Sequence, residues 1–562
     1  MAAQDSSGSY SISDPLIDDV VDGVVDYRGR RVRRSSKCGR WRSASFIIGV
    51  EIAERFAYYG ISSNLITYLT GPLGQSTASA AENINAWSGA ASMLPLIGAF
   101  VADSYLGRYR TILISSVLYV VGLGLLTLSA VIQPQDSSSS SMGRVIFFFS
   151  SLYLVAIAQG GHKPCVQAFG ADQFDGTHPE ESKSRSSFFN WWYFSLCLGT
   201  AFTLSILNYI QDNLNWGLGF GIPCAVMAVA FVVFLLGTKT YRYGFEENKS
   251  NPFVRVVQVY VAAARNWGAT TPSVTVSKKA SFLDKALAGG ADGINGSRKG
   301  WKTCSTTQVE EAKALLRLVP IWVTCLIYAV VFAQSSTFFT KQGSTIDRSI
   351  GPNFQIPPAT LQTFISLSIV IFLPIYDRVF IPIARKITGE PSGITMLQRI
   401  GFGMLLSLIS MVVAALVEIK RLQIVKDFGL ADKPSVTVPM SMWWLAPQYI
   451  LFGIADVFTM VGLQEFFYDQ VPDALRSLGL ALYLSIFGVG SFLSSFIISI
   501  IEKATGGGGR DSWFSNNLNR AHLDYFYWLL AILSTIELAA YLYFAGSYTY
   551  NREVEHADED VS

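Results

Sequence analysis

Phe46-Ile-Ile-Gly-Val-Glu51-Ile-Ala-Glu54-Arg55-Phe-Ala-Tyr58-Tyr59-Gly60 decides how this chain is to be read. It lies in an otherwise uncharged apolar stretch, 44–70, long enough to cross a bilayer, for which about 20 residues suffice. Ionisable side chains at membrane depth cost roughly 2.5–3.5 kcal/mol each even on the gentlest insertion scale. They normally face a protein interior or a watery cavity and mark an ion, proton or substrate path. Positions 51, 54, 55, 58 and 59 follow helical spacing, so Glu51, Glu54, Arg55, Tyr58 and Tyr59 share one face. A guanidinium beside two carboxylates holds them ionised, and protonating one frees it for another partner. Coupling a proton to a second charge needs that property. A static ion pair gluing helices together is the bland alternative, but it has no need of a second acid three residues away.

Working outward, the whole chain has the same character. Of its 562 residues, 50% are hydrophobic and 15% charged, against about 25% charged in soluble proteins. The apolar residues gather into spans near 44–70, 81–106, 110–132, 145–169, 186–207 and 217–238, then 312–335, 358–381, 394–418, 438–464, 476–501 and 524–548. The fold class expected is all-α integral membrane, twelve helices in two six-helix halves. The corresponding units are an N-terminal arm 1–43, bundles 44–238 and 312–548, a linker 239–311 and a tail 549–562. Lys and Arg crowd the arm, the linker and the turn with Arg108 and Arg110, and are missing from 71–80 and 133–143. The positive-inside rule then puts both termini and the linker in the cytoplasm. A formal charge of +2 gives no reason to expect nucleic acid as a partner.

Other intramembrane polar groups extend the constellation. Lys163 sits in Gly160-Gly161-His162-Lys163-Pro164, where the glycines allow close approach and the proline a local break. Asp456, in Gly453-Ile-Ala-Asp456, is an acid in the other half, and a Lys163–Asp456 pair would bridge the halves. Gln334 is a candidate uncharged pocket ligand. His162 reads more readily as a hydrogen-bonded packing residue, and Trp191, Trp192 and Tyr193 as a packing cluster. Asp103, Arg108 and Arg110, around the turn after the second span, would lock neighbouring helices as a gate; topology-setting charge is the alternative. Thr111, next to that basic turn, is either an unmodified helix-start threonine or a phosphorylation site, which would make a kinase a partner. No HExxH, GxSxG or GxxxxGK[ST] pattern occurs, so hydrolase chemistry and ATP drive lose support.

These residues resemble the proton-coupled oligopeptide transporter family of the major facilitator superfamily, in its plant nitrate/peptide branch. The likeness rests on Glu51-x-x-Glu54-Arg55-Phe-x-Tyr58-Tyr59-Gly60, Gly98 to Arg110, Gly160-Gly161-x-Lys163-Pro164, Phe169-Gly-Ala-Asp172-Gln-Phe-Asp175, Phe188-Phe-Asn-Trp-Trp-Tyr193 and Glu465-Phe-Phe-Tyr468. The resemblance implies that Glu51, Glu54 and Arg55 couple protons. It also implies that Lys163 contacts an anionic substrate group, with Tyr58 and Tyr59 in the pocket, and that the halves rock about it. Two departures bear on the cargo: peptide-carrying relatives have Glu where this chain has Asp456, and Asn where it has Cys197. Some nitrate-carrying relatives place a His just before the Ala-Gln where Phe332 stands.

The expectation is therefore a proton-coupled symporter of a small anion, nitrate first, with peptides or plant hormones and other organic solutes second. It would not be an enzyme. Its partners would be the small-molecule substrate, protons and the lipid bilayer, and neither a cofactor nor a metal is expected. Its location would be the plasma or the vacuolar membrane. A passive channel or uniporter would show flux indifferent to a pH gradient; a substrate sensor would bind with negligible turnover. The sequence sets no oligomeric state.

Overall fold

The computed structural model describes residues 20–34, 38–132, 141–175, 199–244, 252–267, 282–290, 304–352, 354–388, 394–472, 475–506 and 511–548, with 178, 180, 181, 184, 188, 191, 192 and 196 between them. Among the described residues, nine helices are long and apolar enough to cross a membrane, and a pair bent by 50° at a short break makes a tenth. The first span, Arg40–Ser62 continued by Leu65–Thr70, carries the charged stripe, and the fifth lies partly outside the described residues. The total is consistent with the twelve expected.

Each boundary has a local cause. Ser76 caps span 2 (Thr77–Val101) by accepting from the Ser79 amide at 3.2 Å, and Asn215 caps span 6 (Trp216–Gly237) through the Gly217 amide at 2.6 Å. Reciprocal capping boxes open span 7 at Ser305 and Gln308 and span 9 (Met396–Asp427) at Thr395 and Gln398. The turn into span 3 (Arg108–Val131) needs Gly107, whose φ is 75°. Spans 2 and 8 both end in a π-helical turn, Ala102–Leu106 and Tyr376–Phe380, so the two halves repeat the same backbone device.

Two spans are broken along their length. Span 1 yields at Ser63 and Asn64, where the Asn64 amide donates to Gln211 and Asp212 at 3.2 and 2.8 Å. Such side chains compete with the helical backbone. Span 7 runs Thr306–Val323 and then Leu326–Ala333 and Phe338–Gly343. Pro320 lies inside its first section and removes one backbone donor from the ladder.

Spans 2 and 11 (Arg476–Thr505) cross between the halves at glycines: a Cβ on Gly89 would stand 3.0 Å from the Gly488 carbonyl oxygen. From that crossing toward the face away from the termini, hydrogen bonds close the seam. Asn85 donates to Ser494 at 2.9 Å and Ser495 to the Glu82 carbonyl at 3.1 Å. The Thr77 amide reaches Asn516, Lys341 reaches Thr70 and Gln362 reaches the Ser63 carbonyl, each at 2.9 Å. Thr360 donates to the Leu204 carbonyl at 2.8 Å. These hydrogen bonds between the halves all lie on the side away from the termini.

On the terminal face, β1 (Val20–Val25) pairs antiparallel with β2 (Arg31–Arg33) and with β3 (Tyr243–Gly244), tying the arm to the end of span 6. Glu181 anchors this corner by accepting from Arg40 and from the fully buried Arg242, both at 2.7 Å. Burial alone would raise its carboxyl. The hydrogen bonds from Arg242, the Asp175 amide and Arg40 overcome that and hold it at about 2. The linker is no loose tether where it is described. Its helix Pro252–Arg265 buries Val259, Ala262 and Ala263 against Leu283, Ala286, Val309 and Ala312, so this segment is docked on the extended start of span 7.

Candidate functional site

The stripe on span 1 is buried as the spacing requires: Glu51 is 2% exposed, Glu54 0% and Arg55 5%. Arg55 Nε lies 3.1 Å from Glu51 Oε1 and Nη2 lies 2.5 Å from Glu54 Oε2. Both pairs are close but poorly aligned, and these two guanidinium nitrogens make no directed hydrogen bond. Ion pairs held by charge without aligned bonds lack the geometric specificity of a bidentate clamp. That arrangement suits a partner exchange better than a fixed strut.

Three neighbouring spans complete the site. Tyr119 of span 3 donates to Glu54 Oε1 at 3.5 Å. Tyr58 stacks on Trp87 of span 2 with ring centroids 5.8 Å apart, and Arg55 stands 5.9 Å from the Tyr58 ring centre. Tyr59 meets Tyr58 edge-on at 5.4 Å. Span 4 (Ser141–Ala171) brings His162 and Lys163. His162 is fully buried, its ring 6.2 Å from Tyr119, and neither ring nitrogen has a hydrogen-bond partner. The expected packing hydrogen bond is therefore not made: the apolar interior of the bundle supplies no acceptor. Lys163 is half-buried, within electrostatic range of Glu51, Glu54 and Arg55. Among the described residues it makes no hydrogen bond or ion pair.

The other half contributes differently from expectation. Asp456, 3% exposed on span 10 (Ala446–Asp469), accepts a 2.5 Å hydrogen bond from Tyr328 of span 7. The expected Lys163–Asp456 pair is not formed, because Tyr328 belongs to the same half and satisfies the acid locally. Phe332, Phe452 and Phe487 surround that pair with centroid separations of 5.4–6.5 Å. Gln334 is fully buried, donating to the Val330 carbonyl at 2.7 Å and to Ser494 at 3.1 Å. Both amide hydrogens are spent within its own half, so it offers no free donor to a pocket. Tyr119, Tyr328 and Glu537 (on span 12, Leu523–Gly546) were not singled out by sequence. Glu537 alone carried a signal, a lone acid in an apolar run.

Near the terminal face, Arg108 pairs with Asp172 at 2.5 Å, which ties together spans 3 and 4 of the same half. Arg110 is exposed and the Asp103 side chain lies outside the described residues. Thr111 is 4% exposed and donates to the Gly107 carbonyl at 2.9 Å, so modification would require that turn to open. Trp192 packs on Phe188 at 5.6 Å; Tyr193 and Cys197 lie outside the described residues.

Comparison with known proteins follows the same lines. The family described as PTR2, the POT family, matches residues 109–514. The chain is 66% identical over 548 residues to Protein NRT1/ PTR FAMILY 5.10 of Arabidopsis thaliana, covering 94% of this chain and 96% of that one. It is 57% identical to NRT1/ PTR FAMILY 5.14 of the same plant, covering 96% and 98%. Among solved structures, an auto-inhibited POT family peptide transporter superposes with a TM-score of 0.70 at 21% identity, over 92% of this chain and 99% of that one. The POT family transporter PepTSo does so at 0.67 and 21%, over 91% and 99%. These two likenesses show the fold.

Proposed function

The chain belongs to the POT family of membrane transporters, and from that premise we propose that it is a symporter whose cargo is a small anion, nitrate first, driven by protons through Glu51, Glu54 and Arg55. The observation that carries this reading is Lys163: a half-buried cation with no described partner, set within range of an arginine whose two acids hold it by charge alone. An anion entering the pocket would give Lys163 the counter-ion it lacks. With all four groups charged, Glu51, Glu54, Arg55 and Lys163 sum to zero, so protonating Glu54 would leave the cluster with one surplus positive charge that an anion could balance. Loading proton and anion together thus keeps the buried site near neutrality, which a low-dielectric interior demands.

Tyr58, Tyr59 and Tyr119 would supply hydroxyls and apolar walls, and Asp456 with Tyr328 would bound the pocket from the other half. Arg108 and Arg110 would belong to the gating turn, with Asp103. The seam closed on one side only fits a state open toward the termini, which the Lys and Arg distribution assigns to the cytoplasm. Peptides remain the second cargo, since both solved relatives quoted above are POT family transporters and one is described as a peptide transporter. Asp456, already engaged by Tyr328, is then a poorer anchor for a peptide amine. The plasma or vacuolar membrane would house it.

The test is current or uptake in a heterologous cell, comparing nitrate, dipeptides and plant hormones at acid and neutral pH. The expected result is acid-stimulated nitrate uptake that Glu54→Gln uncouples: exchange down a gradient persists while uphill accumulation ceases. Uphill accumulation by Glu54→Gln under an imposed pH gradient would refute the assignment of Glu54.

A further inference from the structure

Glu537 is an acid that the transport reading above leaves unused. It lies on span 12, only 7% exposed, and no ion-pair partner for it occurs among the described residues. Its Oε1 accepts from the backbone amides of Ile327 and Tyr328 at 2.6 and 3.3 Å. Those two amides belong to the first turn after the break in span 7, between Val323 and Leu326. In an unbroken helix they would donate to the carbonyls of Val323 and Thr324; the break strips them of those partners. A buried amide without an acceptor costs roughly 1–3 kcal/mol. A carboxyl oxygen from a neighbouring span therefore replaces two missing rungs.

The second of those amides belongs to Tyr328, whose hydroxyl donates to Asp456. Span 12, the pivot of span 7 and the acid of span 10 are thus joined through one residue: carboxylate to main chain, then side chain to carboxylate. We propose that Glu537 is a positioning residue of the transport cycle, capping the pivot of span 7 and, through Tyr328, fixing Asp456 at the pocket. The second section of span 7 contributes Lys341 to the seam, and its first section, at Val309 and Ala312, carries the docked linker. The bend at its break is where those two sections change their angle as the mouth opens and shuts. Glu537 holds that angle in the state seen here. The proposal rests on the pocket being the transport site, but its first two links are measurable without any cargo.

The experiment uses the full-length protein in nanodiscs, with Glu537→Ala, Glu537→Gln and Tyr328→Phe. Hydrogen–deuterium exchange of a peptide covering 325–330 reads the cap. Carbodiimide labelling of Asp456, followed by mass spectrometry, reads its hydrogen bond, and the half-saturating anion concentration for uptake reads the pocket. Glu537→Ala is expected to speed exchange at least tenfold, to raise labelling of Asp456 and to raise the half-saturating concentration at least fivefold. Glu537→Gln, which keeps an acceptor oxygen, is expected to stay within about threefold of the wild type in exchange. Tyr328→Phe is expected to reproduce the labelling and uptake changes without the change in exchange. Unchanged exchange in Glu537→Ala overturns the cap, and unchanged labelling in both Glu537→Ala and Tyr328→Phe overturns the link to Asp456. A wild type that accumulates no anion would refute the cargo reading while the first two measurements still decide this one.

Discussion

Replacing Gly98 by alanine tests whether the position of Lys163 is set by backbone contact between spans 2 and 4. A Cβ at Gly98 would stand 2.1 Å from the Gly160 carbonyl oxygen, 2.6 Å from its carbon and 2.8 Å from Gly161 Cα. All three are main-chain atoms, so no rotamer relieves the clash. Reaching the near edge of ordinary contact, 3.4 Å, would push the helices apart by about 1.3 Å. Span 4 has nowhere easy to go, since Gly161 already faces Ser115 of span 3, whose Oγ would lie 2.2 Å from a Cβ there. Overpacking of this kind costs about 1–3 kcal/mol, and the better helix propensity of alanine returns roughly 0.5–1 kcal/mol. The net expectation is a loss of about 1–2 kcal/mol in stability. Because Lys163 follows Gly161 by two residues, it moves with the displaced backbone, and uptake should fall roughly tenfold, as sub-ångström positioning of reacting groups commands factors of that size. The matched control is Gly49→Ala on span 1, where a Cβ meets nothing within 4 Å; it should be neutral or slightly stabilising. Thermal unfolding of the purified protein, followed by fluorescence, measures the first effect, and uptake in vesicles the second. A Gly98→Ala protein as stable and as active as Gly49→Ala would refute the reasoning.

Lys163→Ala should raise the half-saturating anion concentration at least tenfold while leaving thermal stability near that of the wild type, because Lys163 makes no described bond to lose; an unchanged concentration counts against it as the anion's counter-ion. Thr70→Val removes the described hydrogen bond of the Lys341 ammonium across the seam, and accessibility of cysteines placed on the far side of the pocket should rise as the closed face loosens. For the arm, the folded carboxyl of Glu181 at about 2 lies below its ordinary 4.5. Its stabilising contribution is therefore complete above 4.5 and is lost as pH falls from there toward 2. Limited proteolysis of the arm should accelerate only in that window, and in Arg242→Ala it should already be fast at neutral pH.

How much of this was legible in the sequence depends on what fixes each feature. The stripe from Glu51 to Tyr59 was fully readable, since helical periodicity and hydropathy act along one chain and need no neighbour. Asp103 and Asp377 mark the ends of spans 2 and 8 in the sequence, but that both turns are π-helical came only from the structure. The Asp456 partner was not: choosing between Lys163 and Tyr328 requires knowing which helices face each other, and periodicity is silent on that. Gln334 failed in the same way, since its amide turns toward Ser494 of span 11. The breaks at Asn64 and Thr324 were hidden inside unbroken apolar runs, and the run around Thr324 gave only Pro320 as a cue. Glu537 became intelligible only once the second break was seen, because its partners are main-chain amides that carry no sequence signature.

The two broken spans have a common logic that joins fold to transport. Spans 1 and 7 occupy corresponding places in the two halves, and each is broken along its length. Each break is stabilised from its own half: Asn64 by Gln211 and Asp212, the start of the second section of span 7 by Glu537. The section beyond each break joins the seam of the closed face, through Thr70 on one side and Lys341 on the other, and these two meet each other. The section before the break in span 1 carries the charged stripe, and the residue just beyond the break in span 7 holds Asp456. A change of charge at the stripe and an opening of the seam therefore act on opposite arms of the same bent helix. Were span 1 a straight rod, the seam would have to open by rotation of the whole half; a break between them lets the outer section give way while the inner one keeps the charged stripe in place.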